Sequence, residues 1–136
     1  MNYRILLYGL LGVAMEILWT GAGSLLKGDY SLRGVSYLWM FPIYGGAVFL
    51  EPVHERIRGL KWYIRGMLWV AVIFSLEFTS GLIIKMTVGM IPWDYSGTSL
   101  YTVGGLIRLD YIPVWFMVGL LFEQTHDFLN RFFHKV

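Results

Sequence analysis

The sequence predicts an all-α fold: an integral membrane four-helix bundle with an interfacial or re-entrant segment between helices three and four. Three observations carry this reading. The 136 residues are 57% hydrophobic and only 15% charged, against about 25% charged in an ordinary soluble domain. Four apolar stretches, residues 5–26, 37–54, 62–84 and 112–132, are long enough to cross a bilayer, which takes about 20 residues. Each stretch carries one glutamate: Glu16, Glu51, Glu77 and Glu123. A chain of this length makes a single transmembrane domain, 1–136.

The first stretch follows Arg4 and ends near Gly21-Ala22-Gly23, a possible cleavage site for a signal peptide. Its length and its central Glu16 argue for a retained helix instead. Gly9, Gly12, Thr20 and Gly23 share the Glu16 side, and small residues let membrane helices approach closely. The second stretch contains Pro52 inside the Glu51–His54 turn. A proline there frees the Val48 carbonyl and predicts a kink. The link from Glu55 to Lys61 is short, which forces an antiparallel hairpin. The third stretch places Ser80 and Gly81 just after Glu77, and the fourth places Gly119 before Glu123.

The 85–111 connection is too long for a plain turn and too apolar for a solvated loop. Non-helical backbone at membrane depth must be covered by protein or water, so the segment is read as a cap on the bundle. Its centre is Pro92-Trp93-Asp94-Tyr95-Ser96. Trp and Tyr favour the interface, and an Asp ahead of a Ser favours a turn or helix cap. An anchoring turn is the simpler reading. The functional one is a lid whose Asp94 and Tyr95 touch a substrate head group.

Arg4, Arg56, Arg58, Lys61, Arg65, Arg131 and Lys135 collect on one side, and Lys27, Arg33, Lys85 and Arg108 on the other. The positive-inside rule then puts both termini and the 55–61 link in the cytoplasm. A net charge of +2 is too small to point to nucleic acid. With no cysteines, disulfides, thiolate metal sites and thiol catalysis are excluded.

The chemistry lies in the order Glu16, Glu51-x-x-His54, Glu77, Glu123-x-x-His126. Lone glutamates from two helices and Glu-x-x-His from two others are how four-helix bundles hold a pair of metal ions. The i, i+3 spacing puts each Glu and His on one face. A carboxylate in hydrocarbon costs about 2.5–3.5 kcal/mol on the mildest scale, so four of them need protons, partner cations or metal. Counted from flanking charges at about 1.5 Å per residue, Glu16 and Glu77 lie about 18 Å in, Glu123 about 12 Å and Glu51 about 8 Å. This is compatible with one site in the cytoplasmic half. Tyr44, Glu55 and Asp127 are candidate acceptors behind the histidines. The two halves follow one plan, a lone Glu and then Glu-x-x-His, which suggests a duplicated hairpin.

Glu77-Phe78-Thr79-Ser80-Gly81, Tyr44-Gly45 and above all Pro92-Trp93-Asp94-Tyr95-Ser96 resemble the CmpB-type "putative ABC-transporter type IV" family of small four-helix membrane proteins. The likeness runs from Tyr8-Gly9 through Pro113-Val114-Trp115 to Glu123 and implies that the glutamates are a family feature. The chain lacks Gly-x-x-x-x-Gly-Lys, so it is not the nucleotide-hydrolysing partner.

Two functions follow. In the first, Glu16, Glu51, His54, Glu77, Glu123 and His126 bind two metal ions, iron or manganese ahead of zinc. The pair would oxidise a lipid-like substrate or handle the metal itself. In the second, the chain is a small transporter or permease component, a homo-oligomer in the bilayer, with protonatable glutamates lining a polar path. A haem held by His54 and His126 ranks below both, and no serine has a nucleophile setting.

Overall fold

The computed structural model describes residues 2–133; Lys135, one of the charges used for orientation, lies outside them. The chain divides into two compact units, Met1–Glu51 and Pro52–Val136.

In the first unit, α1 (Asn2–Leu26) is followed by a turn region and α2 (Met40–Gly45). Small residues let the two helices meet: a side chain at Gly9 would collide with Phe41, and one at Gly12 with the Tyr44 ring. The connection is pinned to α1 through Thr20. Its hydroxyl oxygen accepts the Val35 N–H at 2.8 Å, and the same hydroxyl lies 2.9 Å from the Val35 carbonyl.

The helix expected over 37–54 is not continuous. It begins at Met40, tightens into a 3-10 turn over Gly46–Leu50, and resumes as α3 (Glu51–Ile57). Pro52 explains the break. In an α-helix the Val48 carbonyl would accept from residue 52, which has no N–H. The Glu51 N–H takes that carbonyl instead, one residue early, which is the 3-10 pattern.

In the second unit, α4 (Trp62–Val88) runs one turn past the expected Ile84. Gly89, at φ +83°, ends it and returns its N–H to the Lys85 carbonyl, as left-handed C-terminal glycines do. The connection then forms a small antiparallel hairpin, β1 (Thr102–Val103) on β2 (Ile107–Arg108), with Val103 opposite Ile107. A 3-10 turn at Leu109–Tyr111 leads into α5 (Ile112–Phe133). The connection read from the sequence as an interfacial or re-entrant segment carries this hairpin, which contacts α4 through β2. Leu106 and Trp93 are buried and occupy the space beside Gly81.

Helices α4 and α5 pack through paired gaps, Phe116 over Gly66 and Trp69 over Gly119. Their buried faces are unusual in carrying charge: Glu77 on α4, Glu123 and His126 on α5, with His54 on α3. The exposed surface is rich in Leu18, Leu76, Ile83, Met86, Met117 and Leu121. Over the described residues the fold is therefore all-α apart from one two-residue strand pair. Two of its helices, Tyr3–Leu26 and Trp62–Val88, are long and apolar enough to cross a membrane.

Candidate functional site: the polar interior of each unit

Glu51 accepts from Arg4 Nη1 at 2.6 Å and from the Tyr8 hydroxyl at 2.9 Å. Glu123 is held in the same manner. Arg65 Nε lies 3.0 Å from both carboxylate oxygens, and Trp69 Nε1 donates to Oε1 at 2.8 Å. In both units an arginine and the aromatic residue one turn later on the first helix clamp the glutamate that opens the Glu-x-x-His. The lone glutamates also share a plan. Glu16 accepts from Ser36 at 2.7 Å and from the Tyr44 hydroxyl at 3.3 Å. Glu77 accepts from the Tyr95 hydroxyl at 2.9 Å.

The arginine and aromatic donors escaped the sequence reading, which treated Arg4 and Arg65 as flanking topology charges. The signal was there. Arg4, Tyr8 and Glu16 have the same separations as Arg65, Trp69 and Glu77, so one helical face repeats the three functional positions. Arginine suits this clamp because its guanidinium is always charged; Arg4 presents Nη1 to Glu51, and Arg65 presents Nε to both oxygens of Glu123. Each pair neutralises a carboxylate that would otherwise be costly to bury.

Beyond Glu123 the second unit carries a chain of polar side chains. His54 Nδ1 lies 3.4 Å from Glu123 Oε1, and its Nε2 lies 3.3 Å from Asp127 Oδ1. Arg58 Nη2 donates to Asp127 at 2.6 Å and to Glu55 at 3.0 Å. Glu55 meets His126 Nε2 at 3.0 Å, and the two imidazoles sit edge to face with centroids 5.2 Å apart. The His126 contact and the Arg58 guanidinium hold the Glu55 carboxyl below the usual carboxylate range. Among the expected ligands, this unit thus brings together His54, Glu123 and His126, with Asp127 beside them. Glu77 stands with Tyr95.

Asp94 makes a turn. Its Oδ1 accepts the Ser96 N–H at 2.9 Å and the Ser96 hydroxyl at 2.5 Å, an Asx-type closure. Those bonds depress its pKa, so their support is present above the ordinary carboxylate pKa and is lost as pH falls through the lower folded value. Asp94→Ala is expected to speed hydrogen exchange at the Ser96 amide at neutral pH, and to match the parent protein at acidic pH. Equal exchange at both pH values would remove Asp94 from the turn. The turn aims the next residue, Tyr95, at Glu77.

No curated protein and no solved structure matches the chain. The family described as putative ABC-transporter type IV matches it over residues 3–136, nearly the whole length, in agreement with the resemblance carried by the Pro92–Ser96 string. The chain belongs to the putative ABC-transporter type IV family.

Proposed function

We propose that the protein is a membrane-embedded component of a transport system, whose buried carboxylates line a polar path for protons or cations. The observation that supports this is the inverted surface. Glu77, Glu123, His54 and His126 are buried while leucine, isoleucine, methionine and phenylalanine are exposed. In water that arrangement is unfavourable; in lipid it is what a helix bundle requires, and ionisable residues there mark ion or proton pathways. Membership in a transporter-associated family and the two long apolar helices agree with it. Both termini face the cytoplasm in this reading. Glu77 is the central proton carrier in this reading, because it is buried in the middle of α4 and accepts from the Tyr95 hydroxyl at 2.9 Å.

Reconstitution into proteoliposomes tests this. An imposed cation gradient is expected to drive acidification that falls at least about tenfold in Glu77→Gln, the loss typical of removing a proton-transfer group being 100-fold or more. Flux that is absent, or unchanged by Glu77→Gln, contradicts the reading.

A second reading is a two-metal centre doing redox chemistry on a lipid-like substrate. The close approach of His54 and His126 favours it. Elemental analysis of purified protein would then find two equivalents of iron or manganese, reduced by Glu77→Ala. Less than one equivalent, unchanged by that substitution, would exclude it.

A further inference from the structure

The structure points to a single-ion site for a divalent transition metal such as zinc, ligated by His54, Glu55, His126 and Asp127; we propose this site independently of the transport reading. One donor atom from each of these four residues lies within 4.8 Å of all the others. Two of the pairs are His126 Nε2 to Glu55 Oε1 at 3.0 Å and His54 Nε2 to Asp127 Oδ1 at 3.3 Å. Metal–ligand bonds of about 2.0–2.2 Å in a tetrahedron put neighbouring donors about 3.3–3.6 Å apart. Those two pairs already have the spacing of a coordination shell, and the wider ones, up to 4.8 Å, would close by about 1 Å around an ion. Two imidazoles, two carboxylates and no thiolate make a donor set that suits zinc, iron or manganese.

Proton counting at His54 gives the second argument. Its ring is 2% exposed and sits between two carboxylates, Glu123 on Nδ1 and Asp127 on Nε2. A neutral imidazole carries one N–H, so it can serve only one of them. The Arg58 Nη2 contact at 3.1 Å also asks Nε2 for a lone pair. A cation facing both Nε2 and Asp127 meets these demands; the Arg58 guanidinium supplies it in this structure, and a metal ion bonded to both would take its place. Nδ1, which makes no hydrogen bond in this structure and lies 3.4 Å from Glu123 Oε1, would then carry the proton and turn to that carboxylate, the carboxylate–histidine–metal arrangement that fixes the ring and its tautomer. This changes three expected roles. Glu123 becomes the supporting acceptor, and Glu55 and Asp127 become ligands.

A positive charge already occupies the centre. The Arg58 guanidinium contacts His54, Glu55 and Asp127. Its side chain is 46% exposed, and Glu55 is 51% exposed. The histidine side is thus buried and fixed, whereas the carboxylate side opens outward. Arg58 can swing away as an ion enters.

The test is titration of zinc into chelator-treated, untagged, full-length protein in detergent, followed by calorimetry. About one equivalent is expected. His126→Ala and Asp127→Asn should each weaken binding by at least about 100-fold, and Glu123→Gln by about 10–100-fold. Arg58→Gln removes the competing charge from an exposed position that does not threaten folding, and should tighten binding on the order of tenfold. No zinc binding, an affinity indifferent to both His126→Ala and Asp127→Asn, or an Arg58→Gln protein that binds no more tightly would overturn the site. Two equivalents lost together in Glu77→Gln would do so as well, by assigning the metal to a different ligand set.

Discussion

Glu123→Ala is expected to destabilise the protein by about 3–5 kcal/mol, the cost of breaking a buried ion pair by removing one partner. Glu123 is 2% exposed and its partner Arg65 is 21% exposed. The substitution strands the Arg65 Nε and the Trp69 N–H in one step. Arg65 keeps its Nη1 bond to the Leu60 carbonyl at 2.8 Å, which argues for the lower end of the range. Glu123→Gln preserves shape and one acceptor oxygen. It should cost about 1–3 kcal/mol, the value of a hydrogen bond to a charged group. Denaturant titration in detergent micelles measures both. If the two substitutions cost the same and less than about 1 kcal/mol, the clamp does not stabilise the interior.

The second large effect is expected from Gly119→Leu. Even a Cβ at this position would overlap the Cβ of Trp69, which is anchored to the α4 backbone and cannot rotate aside. Helix α5 must move off α4, and Trp69, 1% exposed, would lose both its packing and its bond to Glu123. Overpacking typically costs about 1–3 kcal/mol, and the lost hydrogen bond adds to it. The expected result is a loss of about 3 kcal/mol with a red-shifted tryptophan emission. By contrast Gly46→Ala, where no atom stands within 4 Å of the added Cβ, should change neither. Equal behaviour of the two variants would contradict the close packing of α4 on α5.

The long helices were legible because hydropathy and length are averages over twenty or more residues. The start of α4 at Trp62 and of α5 at Ile112 coincides with the expected bounds. What escaped reading was decided by single residues. Pro52 predicted a local bend, but whether a freed carbonyl gives a kink or a 3-10 turn depends on which N–H reaches it, here that of Glu51. The hairpin at 102–108 was masked by its shortness. Its signal was Gly104-Gly105, both at positive φ, between Thr102-Val103 and Ile107-Arg108.

The carboxylates themselves were plain in the sequence, since Glu16 and Glu77 interrupt apolar runs. Their partners were not. Arg4 reaches Glu51 across 47 residues and Arg65 reaches Glu123 across 58, and nothing local encodes such a pairing. The Glu-x-x-His spacing did place each pair of residues on one face. Glu55 and Asp127, each one residue after a histidine, were expected as acceptors behind the imidazoles, but the spacing could not show that they pair crosswise, Asp127 with His54 and Glu55 with His126.

One physical arrangement underlies the proposed function: the polar residues face inward and the exposed apolar residues face lipid. Because the chain has no cysteine, a nitroxide can be placed at one position with no background. Leu76→Cys, on the exposed face of α4 next to Glu77, is the most direct probe in reconstituted bilayers, with Glu55→Cys as the reference at an exposed polar position. The account predicts that the label at 76 relaxes strongly with dissolved oxygen and weakly with a water-soluble nickel complex, the reverse of the label at 55. Nickel accessibility at 76 equal to that at 55 would contradict it.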